Sequence, residues 1–409
     1  LVHERFGFGF SVRPAPGSVL ASPISAHYDP DPDYFFHWFR DAAVVMAALR
    51  ADTGDGGPDA ADRALFSEFV RFNAALADLD GRDATLPRDV SPDHRRFLRE
   101  RADLDAVRGR TAALEARVEA DGRLDVTRWN RPQADGPAMR ALTLIGWWDD
   151  ADPAVRPVMR ALISADLALL AERVDAPSFD MWEEELGFHA AIDLVGAAAL
   201  VSGARLLKTL GAGETDGFRE AAARIEARLP RYLADDGAWI RSRLDCPGAD
   251  GEKALDASVI LGALHAGRRN GPLGLGHPAL VGTLDRLTDH FRRAFPINQG
   301  GPAARAPALG RYPGDVYVVG GAFVFVTLAA AELHYRRAAE REEAAAETEI
   351  RRGDAILETM RALAPADGSL PEQLDPETGA PASAKDLAWS HAAFLTAVAA
   401  RRRVRRIGQ

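Results

Sequence analysis

Apolar residues recur along this chain at helical spacing, and sustained strand-type alternation is absent. The pattern predicts helices over 39–52, 58–79, 101–119, 136–149, 154–174, 185–210, 215–229, 255–266, 279–294, 320–340, 343–363 and 384–403. Ala322–Arg336 is apolar on most faces, as a buried helix requires. Ser383 and Asp386 stand at capping-box spacing and read as the start of the last helix, whose apolar stripe continues through Ala392, Leu395 and Val398. About twelve helices joined by Gly/Pro-rich loops suit an all-α toroid of two concentric helical layers, with function carried by the loops of one rim. No linker-like stretch or fixed-period repeat divides the chain, so a single domain over residues 1–409 is expected.

The 47% hydrophobic and 27% charged content fits a globular protein with a substantial core. A formal charge of −10 argues against nucleic acid as a partner, since phosphates need a basic face; neutral substrates such as sugars are compatible with it. No charge-free apolar run approaches ~18–20 residues, so no membrane span is expected. Cys246 is the single cysteine, which excludes an internal disulfide and a cysteine-rich zinc site. Leu1–Leu20 lacks the basic region and apolar core of a signal peptide.

Two stretches hold the candidate chemistry. Asp180-Met181-Trp182-Glu183-Glu184-Glu185 sets carboxylates beside a tryptophan, and Ser369–Gln373 followed by Ser383–Trp389 does the same far downstream. Glycoside hydrolysis needs two opposed carboxyl groups, one to protonate the leaving oxygen and one to activate water or attack the sugar. Standing alone, Trp182–Glu185 also reads as the solvated acidic first turn of a helix, and Glu372 as an exposed loop acid. Asp33–Asp41 contains Arg40 and Asp41 among aromatics; the pair either grips sugar hydroxyls or forms a helix-start ion pair over an aromatic core. Arg128–Pro137 and Gly310–Tyr317 are polar, proline-braced loops before helices. Asp149–Pro153 approaches the magnesium motif of helical terpene synthases, but its fifth position is proline. Asp29–Asp33 reads as a rigid proline turn and not a calcium loop.

Together these segments resemble the glucoamylase family, glycoside hydrolase family 15, over residues 18–403 or so. The family's order is present: Val19–Ser25, then PDYxxxWxRD, WxRPQxDGPAxRA, DxWEE, GRYPxDxY, and finally SxEQ with SAxDLxWSxAAxLTA. The resemblance implies an (α/α)6 barrel, Glu183 as general acid and Glu372 as general base. It implies a terminal-sugar clamp by Arg40 and Asp41, walls from Trp38, Trp129 and Trp182, and contacts to the flanking sugars from Glu184 and Arg311. Tyr34 and Gln373 would help hold the water, Trp389 would support the base loop, and Asp180 would have a supporting role.

Where fungal members carry YNGNPW, this chain has Val318–Phe323, and Glu185-Leu186 replaces a Val-Asn after the acid motif. These departures fall on the aglycone side, with Phe323 in the place of a stacking tryptophan. The expectation is an inverting, exo-acting α-glucosidase with carboxyl groups about 6.5–9.5 Å apart. It needs no metal or organic cofactor, and no starch-binding module is expected after Arg403. The alternatives are the same mechanism on isomaltose, dextran or trehalose, and a silent sugar-binding barrel.

Overall fold

Apolar faces that no single helix can bury alone drive this chain into helix-on-helix packing. The computed structural model describes residues 1–24, 26, 31–211, 215–244 and 251–407, so Cys246 lies outside the described residues. The chain packs as two compact units: Leu1–Leu186 with Ala198–Ala223, and Gly187–Ala197 with Arg224–Gln409.

In the first unit the strands are β1 (His3–Arg5), β2 (Phe10–Val12), β3 (Phe36–Trp38), β4 (Arg117–Glu119) and β5 (Ser178–Phe179). Its helices are α1 (Phe39–Asp52), α2 (Ala60–Ala75), α3 (Arg101–Asp105), α4 (Asp135–Gly146) and α5 (Arg156–Glu172). Two more, α6 (Ala190–Thr209) and α7 (Asp216–Arg228), contribute residues to both units. Asp59 and Asp62 form a reciprocal capping box at the start of α2, each side chain accepting the other's backbone N–H at 2.9 and 3.1 Å. β1–β2 and β3–β4 are antiparallel pairs, and the register of the latter sets Arg117 opposite Trp38. Arg5 on β1 reaches Asp33 at 2.7 Å and Glu119 at 2.7 Å, tying the N-terminal hairpin to β4.

The second unit holds β6 (Leu186–His189, less its first residue), β7 (Arg243–Leu244), α8 (Ser258–Ala266), α9 (Pro278–Ala294), β8 (Ala322–Phe323) and α10 (Val324–Ala338). It continues with α11 (Glu343–Leu363), β9 (Gln373–Leu374), β10 (Pro381–Ala382) and α12 (Ala388–Ile407). Every residue from Val324 to Tyr335 is buried, as its unbroken apolar face requires. β9 lies between β8 and β10 in a three-stranded antiparallel sheet.

The sequence pattern failed where side chains make long-range polar contacts. The expected 101–119 helix stops at Asp105: Gly109 adopts φ +53, and Arg117 and Glu119 are drawn into β4 by buried partners. The expected helix at 185–210 starts at Ala190, and that at 320–340 starts at Val324, because short strands take the preceding residues. The last helix starts at Ala388: Ser383 takes φ +63 and its hydroxyl is bonded to Glu372, so it does not cap a helix. Asp150 pairs with Arg50 at 2.7 Å and Asp152 caps a short turn, so the Asp149–Pro153 stretch is structural. Asp29 and Pro30 lie outside the described residues, and Asp33 is buried against His3 and Arg5.

α6 is long and apolar enough to cross a membrane by length and composition, with mean hydropathy 1.6, although it carries Asp193, Arg205 and Lys208. It is a core helix: 78% of that window is buried within the protein, and its Asp193 accepts from Arg228 at 2.6 and 2.7 Å and from Tyr232 at 2.8 Å. A charge so paired belongs to a protein interior.

Close helix approach gives one test. A Cβ on Gly262 in α8 would sit 2.5 Å from Ala191 Cα, a backbone atom that cannot step aside. Gly262→Ala should therefore destabilise the protein by about 1–3 kcal/mol, overriding the ~1 kcal/mol that alanine offers a helix interior. Urea unfolding of the variant measures this; unchanged or increased stability contradicts the packing.

Candidate active site

Glu183 sits in a tight loop between β5 and β6, not in a helical first turn. Asp180 organises that loop: its Oδ1 accepts the backbone N–H groups of Glu184 at 2.7 Å and Glu185 at 3.2 Å. The Asp180 N–H donates to Glu185 O at 3.0 Å, and the Glu183 N–H donates to Asp180 O at 2.9 Å. This ring of bonds holds Glu183 at φ +68, the left-handed region that non-glycine residues occupy at a cost of about 1–3 kcal/mol. Asn130 Nδ2 adds a bond to the Glu183 carbonyl at 2.6 Å.

The Glu183 carboxyl meets three donors from distant segments. Trp38 Nε1 donates to Oε1 at 2.9 Å and Arg40 Nη2 to the same oxygen at 3.0 Å, while Trp129 Nε1 donates to Oε2. Trp38 ends β3 and Arg40 lies in the first turn of α1, so the strand-to-helix junction aims both at one atom. Tyr34 packs on Trp38 with ring centroids 4.9 Å apart, and Trp129 meets Trp38 edge-on at 5.9 Å. Trp182 is buried and Glu184 is exposed at the same loop.

Arg40 also donates to Asp41 at 3.1 Å, Asp135 at 3.2 Å and Gln133 at 3.4 Å. Burial alone would lower its pKa, but Asp41, Glu183 and Asp135 outweigh that and hold the guanidinium charged. Burial pushes the Asp41 carboxyl up to about 6, with Arg40 opposing and the charges of Glu183 and Asp135 reinforcing the rise. Gln133 and Asp135 escaped the sequence reading as individual site residues, although both lie in the WxRPQxDGPAxRA motif. Their signal was an amide and a carboxylate at a helix start, which is common enough to pass as capping.

In the second unit, Glu372 stands immediately before β9 and is buried. Its N–H donates to Ala384 O at 2.8 Å and its carbonyl accepts from Val324 at 3.0 Å, so its backbone is fixed on both sides. The Ser383 hydroxyl donates to Glu372 Oε2. Gln373 is fully buried, and its amide oxygen accepts from Gly321 N–H while its nitrogen donates to Tyr317 O, both at 3.2 Å. It therefore anchors the Gly310–Gly321 loop. Arg311 is clamped by Asp315 through two bonds of 2.6 Å. Trp389 stacks on Phe325 at 4.3 Å, and the neighbouring Ser390 hydroxyl donates to Pro371 O at 2.8 Å, bracing the segment before Glu372.

Phe323 stands where fungal members carry a stacking tryptophan. It is 1% exposed and packs on Phe325, so it is a core residue and presents no face to a sugar. Among the described residues no cluster of three or more His, Cys, Asp or Glu is arranged to hold a metal ion.

Asp41 provides a pH test. The native carboxyl keeps its proton up to about pH 6, whereas the ordinary value is 3.8. Between those values the native state binds more protons than the unfolded state, so this group's contribution falls as pH rises through the window. Relative to Asp41→Asn, the wild type should lose about 2 kcal/mol of stability between pH 4 and pH 6. Denaturant titrations at both pH values measure the difference; parallel pH dependence in the two proteins refutes the assigned environment.

The Glycosyl hydrolases family 15 model matches residues 113–399, which include Glu183 and Glu372. Glucoamylase-1 of Arthroderma benhamiae is 27% identical over 95% of this chain and 65% of its own length. Glucoamylase P of Amorphotheca resinae is 28% identical over 93% of this chain and 64% of its own length. This chain thus spans slightly under two thirds of those relatives. The solved family 15 glucoamylase of Hypocrea jecorina superimposes with a TM-score of 0.79 at 27% identity, covering 96% of this chain and 68% of that one. The fold class is the all-α (α/α)6 barrel of those structures. A family model matching most of the chain and a fold shared with a solved family 15 glucoamylase place this chain in glycoside hydrolase family 15.

Proposed function

We propose that the chain is an inverting, exo-acting α-glucosidase of the glucoamylase type, acting as one catalytic domain on α-glucans or maltooligosaccharides and releasing β-glucose. The observation that carries this reading is the convergence of Trp38, Arg40 and Trp129 on the carboxyl of Glu183. As Glu183 gives its proton to the glycosidic oxygen, negative charge develops on its carboxyl. Three donors already aimed there stabilise that charge without reorganising, and this favours the transition state over the ground state.

Glu372 takes the complementary part. Its carboxyl, oriented by Ser383, draws a proton from water while that water attacks the anomeric carbon from the face opposite the departing oxygen. The glycosidic bond breaks as the new C–O bond forms, so configuration inverts. Asp41 accepts hydrogen bonds from the hydroxyls of the terminal sugar and Arg40 fixes Asp41. Trp38, Trp129 and Trp182 form walls, Tyr34 helps to hold the water, and Glu184 and Arg311 meet the sugars flanking the cleaved bond. Asp180, Gln373 and Trp389 act by holding the two loops. The mechanism invokes no metal or cofactor.

General acid and base groups each contribute about 10²–10⁴-fold. Glu183→Gln and Glu372→Gln should each lose turnover on that scale with unchanged circular dichroism; near-normal turnover by either removes its role. Proton NMR of fresh product should show β-glucose first, and initial α-glucose would refute inversion. Maltose should be cleaved ahead of isomaltose and trehalose. The reverse order assigns the enzyme to one of those linkages, and maltooligosaccharide binding with no glucose release makes it a silent barrel.

A further inference from the structure

Arg117 touches both indoles that hold Glu183. Its guanidinium lies 3.8 Å from the ring centroid of Trp129, 4.7 Å from that of Trp38 and 3.9 Å from that of Phe36. It is 2% exposed, on β4 directly across from Trp38. Below the rings it is tethered: Nε donates to Asp125 Oδ2 at 2.8 Å and Nη2 to Thr127 Oγ1 at 3.1 Å. Thr127 in turn donates to Asp125 Oδ1, through its hydroxyl at 2.6 Å and its N–H at 2.8 Å. A stacked, desolvated guanidinium is attracted to the electron-rich face of an indole, and its planar shape suits two rings meeting edge to face.

We infer that Arg117 is a positioning residue for general-acid catalysis, holding the indoles of Trp38 and Trp129 so that both donate to Glu183. This deepens the proposed function and rests on Glu183 being the acid. Trp38 and Trp129 come from segments with no backbone pairing to one another, and Trp129 is only half-buried. The Arg117–Asp125–Thr127 tether supplies the missing restraint. Without it Trp129 can rotate, one donor leaves Oε2, and the charge developing on Glu183 loses part of its stabilisation.

The test separates this role from a general structural one. Assistance from Glu183 matters for a sugar alkoxide leaving group and hardly for fluoride, which departs without protonation. Arg117→Met should lower kcat about 100-fold on whichever glucose disaccharide the wild type hydrolyses, because small misplacements at a reacting centre cost that much. KM should stay within roughly twofold, as expected when only a transition-state interaction is lost. Activity on α-glucosyl fluoride should change less than about threefold. Arg117→Lys, which keeps a cation over the rings, should recover much of the disaccharide activity. Arg117→Met leaves Asp125 buried without its cation, so Thr127→Val provides a milder probe, with about a tenfold loss in the same selective pattern. Equal losses on both substrates, or no loss on either, overturn the role of Arg117. A wild type inactive on both substrates overturns the α-glucosidase reading itself, so the two failures are distinct.

Discussion

A single guanidinium, that of Arg40, lies among three buried carboxylates: Asp41, Asp135 and Glu183. Placing several acids in an apolar interior is costly, and one cation can offset them only if it reaches all of them in good geometry. Arginine can, because its donors fan out in a plane from a fixed centre; a lysine ammonium would satisfy fewer at once. The start of α1, the loop before α4 and the loop between β5 and β6 must therefore converge on Arg40. Breaking such a cluster by removing one partner typically costs about 3–5 kcal/mol, so it stabilises the fold as well as shaping the site. Burial, reinforced by the neighbouring acids, makes Asp41 hold its proton unusually well, and Asp135 is shifted in the same direction.

Around this cluster the protein invests order in small loops. Asp180 closes a ring of backbone bonds that keeps Glu183 in a left-handed conformation, and Asn130 secures its carbonyl. Strain of this kind persists only where neighbours over-determine it. The second unit uses a different device for Glu372. Three very short strands pin its backbone, and the amide of Gln373 stitches the adjoining loop to it. In both cases the scaffold helices set only the anchors, and side chain-to-backbone bonds determine where the carboxyl goes. Arg117 extends the same logic outward, since an indole donor is useful only while its ring is held.

Much of the fold was legible because helical periodicity is a local property. The patterns at 39–52 and 343–363 coincide with α1 and α11, and the apolar run around Leu328 is a buried helix as it reads. Legibility failed where a residue with strong local meaning found a stronger distant partner. Ser383 and Asp386 have the spacing of a capping box, but Ser383 bonds to Glu372 and Asp386 to His391. Arg117 and Glu119 continue a helical pattern, but their ionic partners Asp125 and Arg5 hold them in a strand. Phe323, which replaces a stacking tryptophan of fungal members, is part of the core.

The sequence by itself determined the helical class and the order of the motifs, because periodicity and motif spacing are written along one chain. Only the tertiary structure decided that Gln133 and Asp135 meet Arg40, that Gln373 holds a loop, and that Arg117 lies against two indoles. These are contacts between segments far apart in sequence. A polar side chain has many possible partners, and burial selects among them only once the chain has closed around it.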